Sequence, residues 1–187
     1  MNFYCKFLEN LNESEKLIWD FFVQGALNKK SYFNIPSLST SSNNKISTRS
    51  VILRKANYIE HSLLFYSDSR SQKVSDIKLN KNVIIHVYDR KKNIQIQCFG
   101  GAKIITNCEE SNLVWVKLNK RARRNYISKK KPGAKINSLS ENVLLESENS
   151  FLNFCLIKVY IKRILCLYLT KKENRKAEFI YKKNKVD

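Results

Sequence analysis

From Thr48 onward the chain consists of short segments dominated by Val, Ile, Tyr and Phe, the residue types enriched in β-strands. Polar or turn residues bound these segments, which read TRSVILR, SLLFYS, VIIHVYD, NIQIQCFGGAKIIT, FCLIKVYIKRI, LCLYLT and AEFIYK. Two helical stretches interrupt them, at residues 71–80 and at about residues 109–126. Because strands and helices do not alternate regularly, the pattern disfavours a doubly wound sheet. It predicts a mainly β fold, an antiparallel barrel of six or seven strands with peripheral helices.

The region before these segments has a different character. Residues 12–29 place apolar side chains at helical spacing, and Asn12 followed by Glu15 resembles a capping box. We expect an amphipathic helix there, packed on the outside of the barrel. Residues 30–47 are rich in Ser and Asn and contain Pro36, which predicts a long connection, with a functional loop as the alternative.

A chain of 187 residues is long enough to bury one substantial core. We predict a single domain over residues 1–187, with the N-terminal helix at 12–29, core strands at 48–106, a helical and loop insertion at 107–150, and C-terminal strands at 151–187. Gly100 and Gly101 fall inside a predicted strand, where glycine indicates a bulge or the close approach of another backbone. A corner of the barrel accounts for both glycines.

The formal net charge of +19 raises the question of an anionic partner, either a nucleic acid or a membrane surface. The alternative is that lysine is simply the default surface residue of this chain. Residues 111–140, called here the acid-free segment, contain no Asp or Glu and carry Lys117, Lys120, Arg121, Arg123, Arg124, Lys129, Lys130, Lys131 and Lys135. This segment could bind a polyanion, lie beside a phosphorylated ligand, or form a solvated helix face.

Several classes of site and location lose support from what the sequence lacks. Five cysteines without a C-x-x-C pair indicate a reducing compartment, and the longest apolar stretch is broken by charged residues, so we expect a cytoplasmic protein without a membrane span. Two histidines outside any ligand pattern argue against a metal site. The chain has no G-x-S-x-G, P-loop or G-x-G-x-x-G motif, so any chemistry is expected to come from a bound cofactor.

One stretch does suggest an anion site. Arg49 and Arg54 lie in a predicted strand, where their positions alternate and place the two side chains on opposite faces. Further on, Ser71 and Lys73 fall at the start of a predicted helix, whose free N–H groups and dipole favour a phosphate. Together these residues predict a phosphate pocket.

A family resemblance then becomes apparent. The runs T-R-S-V-I-L-R, F-Y-S, S-Q-K-V, an apolar strand ending in Y-D, and Q-I-Q-C-F-G resemble the flavin-binding core of the pyridoxamine 5'-phosphate oxidase superfamily. The resemblance covers residues 48 to about 106 and continues more loosely through W-V-K-L-N-K-R-A-R-R-N-Y, P-G and R-K-A-E-F. It implies a split barrel that holds FMN at a homodimer interface.

The resemblance also implies roles for particular residues. Arg49 and Lys73 would bind the FMN phosphate, and Arg54 would face both cofactor and substrate. Tyr66 and Ser67 match an aromatic and hydroxyl pair beside the cofactor. The remaining cofactor-binding positions are the backbone around Ser50, Val51 and Ile52, then Gln72, where the oxidase usually has arginine, and Gln95, which would reach the flavin of the partner subunit.

The C-terminal part departs from the family. The oxidase carries a tryptophan and an R-L-H-D-R run that recognises its substrate, whereas this chain ends LYLTKKENRKAEF and has no histidine after His86. Arg175 or Lys176 could match a flavin-contacting arginine. The resemblance therefore implies an FMN-dependent oxidoreductase whose substrate is an unidentified small anion, with Arg54, Arg121 and Arg124 as candidate contacts. A flavin carrier or sensor without turnover is the alternative, and a nucleic-acid-binding barrel is less favoured.

Overall fold

The computed structural model describes residues 7–135, 148–170 and 173–181. Its helices are α1 (Leu11–Leu27), α2 (Gln72–Leu79), α3 (Glu109–Lys117) and α4 (Lys120–Arg123), with 3-10 turns at Tyr32–Asn34, Arg124–Tyr126 and Glu148–Asn153. Its strands are β1 (Ser37–Ser42), β2 (Lys45–Ser50), β3 (Leu53–Asn57), β4 (Ser62–Asp68), β5 (Asn82–Asp89), β6 (Ile94–Ile105), β7 (Phe154–Leu169) and β8 (Asn174–Ile180). The predicted mainly β, antiparallel fold with an N-terminal helix is confirmed.

All strand pairings are antiparallel, and the strands form one sheet in the order β2-β1-β5-β6-β7-β4-β3, with β8 also paired to β7. The long strand β7 explains the split of the barrel. One edge of β7 pairs with β6, whereas the other edge pairs with β4 through residues 154–160 and with β8 through residues 163–169. The sheet therefore divides in two along β7.

The core lies between the concave face of the sheet and helix α1. Inward residues alternate along each central strand, as in β5 and β6, and their side chains are fully or almost fully buried. Helix α1 contributes Ile18, Trp19 and Phe22, each at most 1% exposed. A second, smaller cluster lies under α3 and consists of Ile105, Trp115, Tyr126, Phe154 and Leu156.

The prediction of a long connection at residues 30–47 was wrong. This region contains a 3-10 turn and the strands β1 and β2, which pair with each other, and β1 also pairs with β5. The sequence SLSTSS of β1 has one apolar residue, Leu38, so its strand conformation comes from its two neighbours and not from its own propensity. For this reason the sheet has eight strands instead of six or seven.

Other boundaries also differ from the predictions. Helix α1 is capped by Asn10, whose side chain accepts from the backbone N–H groups of Asn12 and Glu13. The predicted cap at Asn12 was therefore wrong by two residues. The segment TRSVILR is divided between β2 and β3, while FCLIKVYIKRI and LCLYLT join as β7. The predicted helix at about 109–126 is broken into α3, α4 and a 3-10 turn.

Gly100 is required by the sheet itself. The β6–β7 register shifts between Phe99 and Gly100, and a Cβ on Gly100 would lie 2.2 Å from the carbonyl oxygen of Tyr160. A Cβ at this bulge would force the backbone of β7 at Tyr160 to shift, so glycine is strongly favoured here. The bulge and the close approach of another backbone, the other interpretation of these glycines, are therefore found at Gly100, while the barrel corner stays a prediction.

Parts of the predicted insertion at 107–150 and of the C-terminal strands at 151–187 lie outside the described residues. Among the residues that are described, no helix is long and apolar enough to cross a membrane.

Candidate functional site

Arg49 lies near the end of β2 and points toward helix α2. Its Nη1 donates to Thr40 Oγ1 at 2.7 Å and to the Leu38 carbonyl at 3.2 Å, and its Nη2 lies 3.6 Å from Asp76 Oδ2. Thr40 donates its own hydroxyl to Asp76 Oδ2 at 2.7 Å. The buried Asp76 carboxylate therefore holds Arg49 in place at the junction of β1, β2 and α2.

Lys73, in the first turn of α2, lies beside a pair of serine hydroxyls. Its Nζ donates to Ser67 Oγ at 3.3 Å, and Ser67 Oγ lies 3.2 Å from Ser71 Oγ. Ser71 caps α2 without using its side chain for a capping bond. Both serines are buried, so the two hydroxyls and the helix N-terminus form one polar pocket with Lys73.

The electrostatics of this pocket leave positive charge in excess. Burial lowers the pKa of Lys73, and the positive charge of Arg49 lowers it further, which places the two cations close together. Burial also lowers the pKa of Arg49, with Asp76 opposing the shift. Burial would raise the pKa of Asp76, but hydrogen bonds from Gln72 and Thr40, with the charge of Arg49, outweigh it and lower the pKa. Asp76 is thus the carboxylate beside Arg49, whereas the carboxylate that acts on Lys73 is Asp68, which is already bonded to Arg70. A bound anion would complement the remaining positive charge.

The strand conformation is interrupted between the end of β2 and the start of β3. This interruption separates the two arginines of the TRSVILR segment. Val51 is buried and donates its N–H to the Pro36 carbonyl at 3.0 Å, while Ile52 is 44% exposed. Ser50, the last residue of β2, is exposed. Beyond the break, Arg54 lies on β3 and points away from the Arg49 pocket.

Arg54 joins an aromatic group instead. Its guanidinium carbon lies 5.1 Å from the centroid of the Tyr66 ring, a cation–π contact. Tyr66 packs edge-on against Phe154, and Tyr126 packs edge-on against the same ring. Burial raises the pKa of Tyr126 to about 12 while Arg54 opposes this, so Arg54 also lies close to that phenol. Tyr66 and Ser67 thus face opposite sides of β4, one toward Arg54 and one toward Lys73.

Arg70 fastens the acid-free segment to the start of α2. Three of its hydrogen bonds go to the buried Asp68 carboxylate, from the backbone N–H, Nε and Nη2, at 2.7–3.0 Å. The same guanidinium donates to the carbonyls of Ser128 at 3.0 Å and Lys129 at 3.3 Å. Nearby, Asn153 donates to the Tyr126 carbonyl at 2.9 Å. These contacts place residues 126–129 of the acid-free segment near Arg54 and Tyr66.

The arginines of this segment divide into two kinds. Arg123 folds onto the Trp115 ring at 5.2 Å and donates to the Val116 carbonyl at 2.9 Å. Arg121 and Arg124 are exposed. Their role as substrate contacts stays a prediction.

Gln95 and Arg175 do not join the Arg49 pocket within the described chain. Gln95 lies on the outward face of β6, opposite Tyr88 and Leu167 in the two neighbouring strands. Arg175 binds Glu9 and Glu173, each at 3.1 Å. Lys176, however, is the register partner of Leu167, so Gln95 and Lys176 lie in one row across β6, β7 and β8. This row favours Lys176 over Arg175 as the companion of Gln95.

Sequence reasoning missed two members of the pocket, Thr40 and Asp76. Thr40 was missed because its strand was interpreted as a connection. Asp76 had a usable signal, since it follows Lys73 by three positions and lies between Val74 and Ile77 on the inward side of α2. Gln72 donates to Asp76 Oδ1 at 2.9 Å, and its predicted contact with the cofactor stays a prediction.

Sequence comparison gives one family match. Residues 16–106 match the model of the pyridoxamine 5'-phosphate oxidase FMN-binding domain. This range contains Arg49, Arg54, Ser67, Lys73 and Gln95. The resemblance stated from the sequence motifs is confirmed, and no curated protein sequence matches the chain.

Solved structures share the fold over most of the chain. A pyridoxamine 5'-phosphate oxidase-related, FMN-binding protein from Nostoc punctiforme is 16% identical, with a TM-score of 0.68 over 90% of this chain and 97% of its own. PhzG from Burkholderia lata, in complex with tetrahydrophenazine-1-carboxylic acid, is 14% identical, with a TM-score of 0.69 over 90% and 87% of the two chains. General Stress Protein 26 from Bacillus anthracis is 19% identical, with a TM-score of 0.52 over 80% and 92%. At these identities the likeness establishes the split-barrel fold.

Proposed function

Because residues 16–106 match the FMN-binding domain of the pyridoxamine 5'-phosphate oxidase family, we propose that the chain binds FMN and serves as an FMN-dependent oxidoreductase. The observation that carries this proposal is the excess charge of the Arg49 and Lys73 pocket. Arg49, which lies beside Asp76, and Lys73, which lies beside the Ser67 and Ser71 hydroxyls at the N-terminus of α2, form a receptor for a phosphate dianion.

The residues present fit the phosphate of FMN. Lys73 makes no ion pair with any described residue, so its charge is available to a ligand. Arg49 uses Nη1 for Thr40 and Leu38, and the 3.6 Å separation between Nη2 and Asp76 exceeds a normal hydrogen bond. The exposed turn of Ser50 and Ile52 next to Arg49 offers backbone groups to the flavin ring.

Bound FMN would supply two-electron redox chemistry, and the protein would supply binding and orientation. In this proposal, Arg54 holds a positive charge at the far side of the β2–β3 break, where an anionic substrate could be attracted. The Tyr66 ring fixes the guanidinium from one side. Arg121 and Arg124 are candidates for further contacts to that substrate.

We also propose that the protein is a homodimer whose partner subunit completes the flavin site. The outward row of Gln95, Leu167 and Lys176 supports this idea, because it places an amide and a cation side by side on the outer face of the sheet. Tyr88 is 42% exposed on the same face, beside Gln95, and offers apolar surface for an interface. A cytoplasmic location is consistent with Cys98, Cys155 and Cys166, which are free and buried thiols.

A non-catalytic flavin carrier or sensor is the second candidate, favoured by the absence of the oxidase's R-L-H-D-R run from the sequence. The nucleic-acid alternative is weakened because Arg123 and Arg70, in or beside the acid-free segment, are engaged in contacts within the protein.

The two candidates separate in one experiment. FMN-reconstituted protein, freed of unbound flavin, is mixed anaerobically with pyridoxamine 5'-phosphate, reduced nicotinamides or a reduced deazaflavin, and flavin bleaching is followed by absorbance. Bleaching by one donor, slowed in Arg54→Met for an anionic donor, supports the oxidoreductase. Retained flavin that no donor bleaches supports the carrier or sensor, and failure to retain FMN overturns both.

A further inference from the structure

The C-terminal end of α2 borders a second basic site, separate from the Arg49 pocket. A cavity of about 600 Å³ lies there, between α2, the start of β5, and the middle of β6 and β7. Lysines from four different places along the chain line it: Lys78, Lys81, Lys103 and Lys162. We call it the lysine cavity. It shares no residue with the pocket around Arg49 and Lys73.

The charge of the lysine cavity is not balanced within the described protein. None of the described residues that line it is acidic, and its four lysines make no ion pair with any described residue. The nearby carboxylates are engaged elsewhere, because Asp76 binds Thr40 and Gln72, and Glu60 binds Lys158 at 2.8 Å. The cavity therefore concentrates positive charge in a concave surface.

The register of the β6–β7 pairing adds an electrostatic repulsion between two lysines. Lys103 lies directly opposite Lys158 in the β6–β7 ladder, and like charges at such positions are destabilising. Glu60 neutralises Lys158, whereas Lys103 has no such partner among the described residues. Lys103 is exposed, and an anion bound beside it would offset the repulsion from Lys158.

The floor of the lysine cavity offers few polar side chains, so a ligand there would be held mainly by the lysine ammonium groups at its rim. It consists of small or apolar residues, Ile77, Gly101, Ala102 and Ile104, with Tyr160 at the side. A Cβ built on Gly101 would lie 3.9 Å from Lys162 Cε, so the Lys162 chain runs close over the strand at Gly101. Lysine ammonium groups on flexible stems adapt to several phosphate groups without requiring one fixed geometry.

We propose that the lysine cavity binds an oligophosphate chain of three or more phosphates. Four cations exceed what a single phosphate group would need. Their concentration around one open depression favours a compact polyanion over an extended nucleic acid. Such a chain exists both as inorganic tripolyphosphate and as part of a nucleoside triphosphate. A second cavity of about 430 Å³ adjoins the first through Asn82 and Lys162, and Ile84 and Phe99 give it apolar walls that could take a base.

Calorimetric titration of the FMN-treated protein with sodium tripolyphosphate, ATP and orthophosphate tests this proposal at low ionic strength. Tripolyphosphate should bind and orthophosphate should bind far more weakly. Tighter binding of ATP identifies the nucleotide as the better source, and equal binding identifies the inorganic chain. Lys78→Gln/Lys103→Gln should weaken tripolyphosphate binding about 25-fold, because each of the two charges lost near the ligand costs roughly a factor of five.

The control is Lys29→Gln/Lys30→Gln, which removes the same charge at exposed positions that do not line the cavity. Equal weakening in this control, or no heat with tripolyphosphate, overturns the proposal. A DNA duplex that binds more tightly than tripolyphosphate, with the same loss in both double variants, also overturns it in favour of general polyanion binding. Arg49→Met/Lys73→Met should lose FMN and keep tripolyphosphate, so failure of the flavin site and failure of this one are distinguishable.

Discussion

Arg49→Met should lower the Tm of the flavin-free protein, whereas Lys73→Met should leave it unchanged or raise it. Both substitutions should weaken the binding of FMN. Methionine removes the charge and retains much of the apolar stem. Arg49 compensates the buried Asp76 carboxylate at 3.6 Å, whereas Lys73 is a half-buried cation repelled by Arg49. The two cations therefore differ in what they do for the fold.

The magnitude for Arg49→Met follows from Asp76. That residue is 4% exposed, and its hydrogen bonds from Thr40 and Gln72 remain in the variant. Losing the cation should cost about 1–3 kcal/mol of unfolding free energy, which lowers the Tm by roughly 2–10 °C in a chain of this size. Lys73→Met removes a repulsion, so its Tm without FMN should be unchanged or higher.

Flavin binding is the second half of the measurement. Each variant loses one charge-assisted hydrogen bond to the phosphate, worth about 1.5–3 kcal/mol, so the Kd for FMN should rise about 10- to 150-fold. The FMN-dependent rise in Tm should shrink accordingly. Differential scanning fluorimetry with and without FMN, together with fluorescence titration, measures both quantities, and Lys29→Met serves as the control. A Tm loss for Lys73→Met equal to that for Arg49→Met, or wild-type FMN affinity in either variant, would refute the reasoning.

Three further predictions concern the fold around the site. Gly100→Ala should destabilise the protein by about 1–3 kcal/mol because its Cβ would lie 2.2 Å from the Tyr160 carbonyl oxygen, while Gly101→Ala, whose nearest contact is 3.9 Å, should change the Tm little. Burial lowers the pKa of His61, with Glu15 partly opposing the shift, so the neutral ring stabilises the fold above pH 6.5 and the Tm should decline as the pH falls below that value. The decline should be absent in His61→Asn, because asparagine tolerates the positive φ of this position and does not titrate. Arg70→Ala removes the hydrogen bonds to the carbonyls of Ser128 and Lys129, so trypsin should cleave the acid-free segment faster, as measured by mass spectrometry. An unchanged cleavage rate would show that Arg70 does not hold this segment in place.

The pairing of Lys73 with Ser67 was predictable because both residues belong to short, recognisable local patterns. Ser67 ends an alternating strand and Lys73 begins a helix a few residues later, so a single turn brings them together. Arg49 and Arg54 do contact different groups, but they lie on two separate strands, β2 and β3, and not on opposite faces of one strand as the alternation predicted. Local periodicity was sufficient for these features.

The contacts of Arg49 were not predictable in the same way. Thr40 lies in β1, whose strand conformation depends on pairing with β2, the next strand, and with β5, which lies far along the chain beyond α2. The length of β7 was missed for a related reason. Lys158 and Arg163 interrupt its apolar pattern, but they face outward and bind Glu60 and Glu178, so the strand continues through them. Tertiary pairing overrides local composition at these positions.

Binding of FMN compared with riboflavin tests the central claim most directly. The two molecules share the flavin ring and differ in the phosphate that Arg49, Ser67 and Lys73 are proposed to hold. Quenching of flavin fluorescence on titration with the protein should show FMN binding, and riboflavin should bind about 100-fold more weakly or worse, because two charge-assisted contacts are lost. Equal affinity for the two flavins, or no binding of FMN, would contradict the account.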